Sequence, residues 1–553
     1  MALFTIENLT FSYPGEAPCL KNIDCSIEEG ELILLLGDSG SGKTTLLKHL
    51  KPQLTPFGKR EGMICFDGRE ISTGTVKQGA VGIGYVFQNP ADQIVTDKVW
   101  HELAFGLENL GLSQREMERR IAEVVSYFGM EEWLYRDTNS LSGGQLQQLN
   151  LAAVLCMQPR VILLDEPTSQ LDPIAAKNFL FLVKQLKEEL GMTVLLSEHR
   201  NDIVYPMVDK VAYLRQGELL FFGDRNEAVR TLSNIAPAAL PTVTRIYANI
   251  EVPPYERPPF DLAGGRRWLE GKLAARAADE SETAFTTRET NIEKDMKKKT
   301  LLSRRAKTEG IRGESRKHKI AKGELAISIK ELYFRYEKHG RDIVRELSLS
   351  IKKGECFGIM GGNGSGKSTI LRLLAGLERP YAGKIELTGK TLYLSQNPQN
   401  HFTKEQVAEE LALVDSDRIE AFGLADLKQQ HPYDLSGGEQ QRLALLKVLG
   451  QEGELLLLDE PAKGLDEKNQ NMLGQLIRTI CASGKTVVVV THDVSFAARY
   501  CDRVGMLFDG RVTGTSDVRE FFLHNQFYTT VTRRLTKGLL PSKLFPEEVK
   551  LGE

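Results

Sequence analysis

The chain has 553 residues, too many for a single hydrophobic core, so two to four folding units are expected. With 41% hydrophobic and 26% charged residues it has the composition of an ordinary globular protein, which excludes a disordered chain, and a net charge of -3 names no partner; DNA is not expected as one. Its most apolar runs, such as 32–36 and 455–458, fall far short of the roughly 20 residues needed to span a bilayer.

Residues 1–13 read as a strand and not as the basic start of a signal peptide, so secretion is not expected. Cys19, Cys25, Cys65, Cys156, Cys356, Cys481 and Cys501 are scattered singly, with no CxxC pair and no metal-ligand spacing; packing roles in a reducing compartment follow.

Next in order, residues 31–36 read as a buried strand, the segment Gly37, Asp38, Ser39, Gly40, Ser41 and Gly42 as a loop, and 43–50 as a helix. A phosphate-binding loop needs that order of elements. Glycines let successive backbone N–H groups curl round an anion, and the helix N-terminus adds partial positive charge. On this reading Lys43 neutralises the β and γ oxygens of a nucleotide, Thr44 binds Mg²⁺, and Thr45 continues the cradle. Residues 161–164 form another apolar strand, ending in Asp165 and Glu166. In a parallel α/β sheet chemistry collects at the carboxyl ends of strands. There the aspartate can hold Mg²⁺ through its bound water, and the glutamate can accept a proton from the attacking water.

Six prolines follow (Pro237, Pro241, Pro253, Pro254, Pro258, Pro259), and residues 265–325 then carry 17 Lys or Arg against 10 Asp or Glu. This composition predicts a linker over 236–325, read as a solvated tether, with contact to anionic lipid or RNA as the alternative.

Beyond it the motifs return in the same order. Residues 355–360 are the strand; Gly361, Gly362, Asn363, Gly364, Ser365 and Gly366 are the loop; Lys367, Ser368 and Thr369 open the helix; and 455–458 lead into Asp459 and Glu460. The offset between paired residues falls from 324 at the lysines to 308 at Gln88 and Gln396, and to 294 at Ser142 and Ser436, where it stays up to the aspartates. The second half is therefore trimmed in one region. The boundaries expected are a first ATP-binding domain over 1–235, the linker over 236–325, a second domain over 326–520 and a tail over 521–553.

LSGGQ at 141–145 and LSGGE at 435–439 each lie shortly before the acidic strand end, and this ordered set resembles the ABC ATPase family over both halves. The resemblance implies an α/β fold of two tandem P-loop domains, each a RecA-like core with a helical subdomain and an antiparallel β subdomain. It also implies an intramolecular pseudo-dimer that sandwiches ATP and Mg²⁺. Tyr13 and Tyr336 would stack on adenine, Gln88 and Gln396 would sense Mg²⁺ and the γ-phosphate, and His199 and His492 would be the switch histidines. Site one would combine Lys43, Thr44, Gln88, Asp165, Glu166 and His199 with Ser436, Gly437 and Gly438. Site two would combine Lys367, Ser368, Gln396, Asp459, Glu460 and His492 with Ser142, Gly143 and Gly144.

FQNPADQIVTDKVWHELAFGLENLGL at 87–112 and SEHR at 197–200 resemble the ATPases of energy-coupling factor (ECF) importers of vitamins and cobalt. That resemblance implies a transmembrane coupling protein and a membrane-embedded substrate-binding component as partners, and a place on the cytoplasmic face of the cell membrane. One rival is an ABC-F translation factor acting on ribosomal RNA, which the basic linker favours. The D-loop segments TSQLD at 168–172 and AKGLD at 462–466 depart from the TNHLD which that family implies. The other rival, a fused sugar-importer ATPase, would have one degraded site and a short connection. Both sites here are intact and the connection is long.

Overall fold

The computed structural model describes residues 2–71, 82–250, 257–295, 324–362 and 364–550, and for 279–295 the backbone alone. Asn363 and the basic run 297–305 thus lie outside the described residues.

The first half begins with β1 (Ala2–Ser12) and β2 (Leu20–Glu28), then β3 (Leu32–Gly37), β4 (Lys59–Phe66), β5 (Arg69–Glu70) and β6 (Ile83–Val86). It continues with β7 (Val161–Asp165), β8 (Thr193–Ser197), β9 (Lys210–Arg215) and β10 (Glu218–Asp224). Two sheets result. An antiparallel one has the order β2-β1-β4-β5; a six-stranded one has the order β10-β9-β3-β8-β7-β6, parallel except for its β10 edge. Their inner faces enclose one core, where Phe4, Ile6, Leu9 and Phe11 of β1 meet Ile33 and Leu35 of β3 and Leu46 and Leu47 of the helix Lys43–His49. β7 and β8 are buried at every position, which is why they read as unbroken apolar runs.

The second half repeats this plan with β11 (Leu325–Phe334), β12 (Val344–Lys352), β13 (Cys356–Met360), β14 (Ala382–Leu387) and β15 (Thr391–Leu394). β16 (Leu455–Asp459), β17 (Thr486–Val490), β18 (Arg503–Phe508) and β19 (Arg511–Asp517) complete it. The order β15-β16-β17-β13-β18-β19 is that of the first half read from the other edge. Both domains thus have the expected P-loop core and antiparallel β subdomain.

The trimming read from the offsets falls on the helical subdomain. In the first half it holds the 11-residue helix Val99–Asn109 and the 15-residue helix Gln114–Phe128. In the second these shrink to Val407–Glu410 and Ser416–Ala421, of 4 and 6 residues.

The expected tether and tail look different in the structure. Leu240 is buried in the first-half core and Phe260 packs against it, while Phe522 and Leu544 are buried in the core of the second half. Between them stands a small fifth core in which Val243 and Ile246 of the helix Thr242–Ala248 meet Leu269 of the helix Leu262–Asp295. Leu535 and Val549 of the tail close it. Gly265 lets the two linker helices touch, since a Cβ there would stand 2.2 Å from Val243 Cγ1. Five buried aliphatic side chains, at roughly 1.5–3 kcal/mol each, hold this segment in place. Proline density hid it: Pro237 and Pro241 stand at the starts of helices, and Pro258 and Pro259 precede the helix Leu262–Asp295. The tether reading is therefore corrected for 236–250 and 257–278, and its most basic part lies outside the described residues.

Candidate functional site

Each P-loop connects a central strand to a helix whose N-cap glycine has a left-handed backbone, φ 102° at Gly42 and 99° at Gly366. A Cβ would stand 2.8 Å from Cys19 O at the first and 3.0 Å from Ile343 O at the second, so glycine is required twice over. Lys43 Nζ folds back to donate to Gly37 O (2.8 Å) and Asp38 O (3.0 Å). Lys367 Nζ donates likewise to Gly361 O (3.0 Å) and Gly362 O (2.9 Å). Both ammonium groups are thereby aimed across the mouth of their own loops. Ser41 Oγ and Ser365 Oγ are buried without a protein partner. Tyr13 and Tyr336 stand beside these helices, their hydroxyls 3.2 and 3.1 Å from Thr45 Oγ1 and Thr369 Oγ1.

At the end of β7, Asp165 Oδ1 accepts from Thr44 Oγ1 (3.1 Å) and Ser197 Oγ (2.9 Å), and Oδ2 from Tyr85 (3.1 Å). Burial, then the neighbouring Glu166, pushes its carboxyl up. Asp459 at the end of β16 is less well held. β17 pairs it with Val490 where β8 pairs Asp165 with Ser197, and Asp459 Oδ1 is buried with no partner. Burial raises this carboxyl to about 6 against a hydrogen bond from Ser368.

Glu166 and Glu460 both have left-handed backbones, φ 43° and 52°, uncommon for a residue with a long side chain and strained at a functional position. This turn, fixed by Glu166 N donating to Ser197 O and Glu460 N to Val490 O, brings each carboxylate to its histidine. Glu166 accepts from Gln88 Nε2 (2.8 Å) and meets His199 Nε2 at 2.9 Å, with Lys43 Nζ at 3.9 Å. Burial raises Glu166, yet His199 and Lys43 outweigh it and leave the carboxyl below its ordinary value. His199 is lowered by burial and raised further by Glu166, so its net shift is upward. In the second half His492 Nδ1 stands 2.9 Å from Glu460 Oε2, while Gln396 is exposed after β15.

The signature motifs open the helices Gly143–Cys156 and Gly437–Leu449. Ser142 N donates to Gln145 Oε1 and Gln145 N to Ser142 Oγ; Ser436 N and Oγ both donate to Glu439 Oε2. The last residue of LSGGQ or LSGGE is thus the far end of a capping box.

The halves face each other. Ser39 N in the first P-loop donates to Asp466 Oδ2 at 2.9 Å, and a Cβ on Gly438 would lie 4.0 Å from Ser39 Oγ. Lys463 Nζ donates to Gln170 O across the same seam. For site two, burial pushes the Lys367 ammonium down, opposed by Glu460, Asp459 and, from the first half, Asp172, and Gly144 packs against Ala175 of the next helix. The first P-loop therefore meets the signature and D-loop of the second half, and the second P-loop lies within electrostatic reach of the first half's D-loop. Ser197, Tyr85, Asp466 and Lys463 were not singled out from sequence. A signal existed for Asp466: Asp172 and Asp466 keep the 294-residue offset of the acidic strand ends.

The donor set fits a polyphosphate with a hard cation. Two ammonium groups are held at the loops by backbone carbonyls, and two buried hydroxyls and one carboxylate oxygen have no protein partner. Among the described residues no cluster of three or more His, Cys, Asp or Glu could hold a metal alone. One hydroxyl and one carboxylate per site match Mg²⁺, which takes its other ligands from phosphate and water.

Fold and site together define a P-loop nucleotide hydrolase with two tandem, facing domains. The chain matches the ABC transporter family over residues 20–169 and 344–463. A Bacillus anthracis protein carrying the provisional name of an ABC transporter ATP-binding protein is 40% identical over 98% of this chain and 97% of its own. A Methanosarcina acetivorans protein of the same provisional name is 32% identical over 94% and 85%. The chain belongs to the ABC transporter ATP-binding family, whose domains use ATP with Mg²⁺. An archaeal ribosome recycling factor, solved with a ribosomal stalk protein, shares the fold with TM-score 0.56 at 24% identity, covering 93% of this chain and 90% of that one.

Proposed function

We propose that this ATPase energises an ECF-type importer from the cytoplasmic face of the membrane, hydrolysing ATP at two composite sites. The observation that carries the reading is a set of exposed aromatic and aliphatic side chains in the segment that follows Gln88. Segment 95–100 pairs with 134–138, where Val99 N donates to Arg136 O and Trp100 N to Leu134 O. That pairing leaves Val95 65% exposed, Trp100 38% and Tyr135 76%. Exposed apolar side chains mark a docking surface, and Val95 and Trp100 lie in the stretch 87–112 that resembles ECF ATPases, with Tyr135 on the segment paired to it. No helix among the described residues is long and apolar enough to cross a membrane, so a transported solute needs separate membrane subunits. The names of the curated relatives favour a transporter as well.

Within each site the chain's own residues divide the work. Lys43 and Lys367 bind and orient the phosphates; Asp165 with Thr44, and Asp459 with Ser368, would hold Mg²⁺, which would neutralise phosphate charge. Glu166 and Glu460 take the proton of the attacking water, and His199 and His492 fix those carboxylates in place. Detergent extraction of membranes followed by affinity purification tests the importer reading. Co-purification of two kinds of hydrophobic subunit is expected; recovery with ribosomal proteins and no membrane subunit would replace the reading by action on the ribosome.

A further inference from the structure

We propose that Arg245, in the linker, is a positioning residue for site one: it grips the D-loop helix of the second half and so presents Asp466 to the first P-loop.

The linker segment is tied to the first half just after the switch histidine. Asn201 Nδ2 donates to Ala239 O at 3.0 Å, and Asp202 accepts from Thr242 N (2.6 Å) and Thr242 Oγ1 (2.8 Å). From the helix that follows, Arg245 is oriented by its own turn, with Nε donating to Leu240 O at 2.8 Å and Nη2 to Ala238 O. Its remaining hydrogens form a fork on Glu467, with Nη1 to Oε1 at 3.0 Å and Nη2 to Oε2 at 2.7 Å. A two-point pair of this kind fixes geometry as well as charge.

Glu467 is the first residue of the helix Glu467–Ala482, and its N-cap is Asp466. Asp466 uses Oδ1 to cap Asn469 N at 2.8 Å and Oδ2 to accept from Ser39 N at 2.9 Å. The first half thus holds the start of one helix at two adjacent residues, through its P-loop and through its linker. Behind Arg245, Val243 and Ile246 are packed against Leu269 and Leu535, so the grip is backed by the C-terminal tail. The other D-loop has no such handle: Asp172 is followed by Pro173, which offers no carboxylate. Arg245 therefore acts on one site and not on both.

The test is photolabelling of the full chain with an azido-ATP under vanadate trapping, read as the ratio of label in peptides of the first and second halves. Arg245→Ala should lower label in the first half by about fivefold, in line with loss of one partly exposed charge pair, and leave the second half unchanged. Arg245→Lys should recover part of the loss, and the reversal Arg245→Glu with Glu467→Arg most of it. If Arg245→Ala fails to fold, Glu467→Gln makes the same test from the other side. An unchanged ratio, or equal loss in both halves with no recovery on reversal, would overturn the proposal.

Discussion

Glu166→Gln is the perturbation that bears most directly on the chemistry. The amide keeps the shape of the side chain and can still meet Gln88 and His199, now 2.8 and 2.9 Å from the carboxylate, but it cannot take a proton from water. Lys43 stays on Gly37 O and Asp38 O, so the phosphate cradle is untouched and nucleotide affinity should change little. Loss of a positioned general base costs about 10²–10⁴-fold in rate, which is roughly 3–5 kcal/mol of barrier. Glu460→Gln should act in the same way, because His492 Nδ1 holds Glu460 at 2.9 Å. The assay is phosphate release at saturating ATP beside equilibrium binding of labelled ATP. Near-wild-type turnover in either single variant, with binding intact, would refute a competent site in that half.

Three further outcomes are expected. His199 should titrate above an ordinary histidine, because Glu166 outweighs burial, and Glu166→Gln should drop its midpoint below the ordinary value; histidine NMR against pH reads both. Replacing 279–320 by a neutral flexible segment should leave ATP turnover and subunit assembly intact, since it spares Leu269 and Leu273, and a long loop adds little closure cost. Loss of assembly would instead assign that segment a binding role. Cysteines at the exposed positions Asn89 and Asn397 should cross-link to different elements of the membrane partner, the first more strongly, because its helical subdomain is larger. Equal cross-linking to one element would contradict this.

The parts of the molecule legible in sequence are those fixed by local physics. Gly42 and Gly366 mark backbone conformations no other residue adopts cheaply, β7 and β16 are apolar because both faces are covered, and Ser142 with Gln145 is a capping box written in four letters. Even the reduced helices of the second half were visible, as a change in spacing. The facing of each P-loop and the other half's signature was legible only through the family resemblance, and the individual long-range hydrogen bonds were not legible at all. Ser39 and Asp466 are 427 residues apart, and although the motifs around them were read, their hydrogen bond was not. The linker was misread for a related reason: Val243, Ile246 and Leu269 form no continuous apolar stripe, and their partners Leu535 and Val549 come almost 300 residues later. The difference between Ser197 and Val490 looks neutral in a strand until β-sheet register places each beside a buried aspartate.

The central claim is that one chain closes on itself to form two ATP sites, and native mass spectrometry of the Glu166→Gln, Glu460→Gln double variant with Mg²⁺ and ATP tests it most directly. The contact of Ser39 with Asp466 within one chain predicts a single polypeptide carrying two nucleotides. A single nucleotide per chain, or nucleotide retained only when two chains associate, would contradict it.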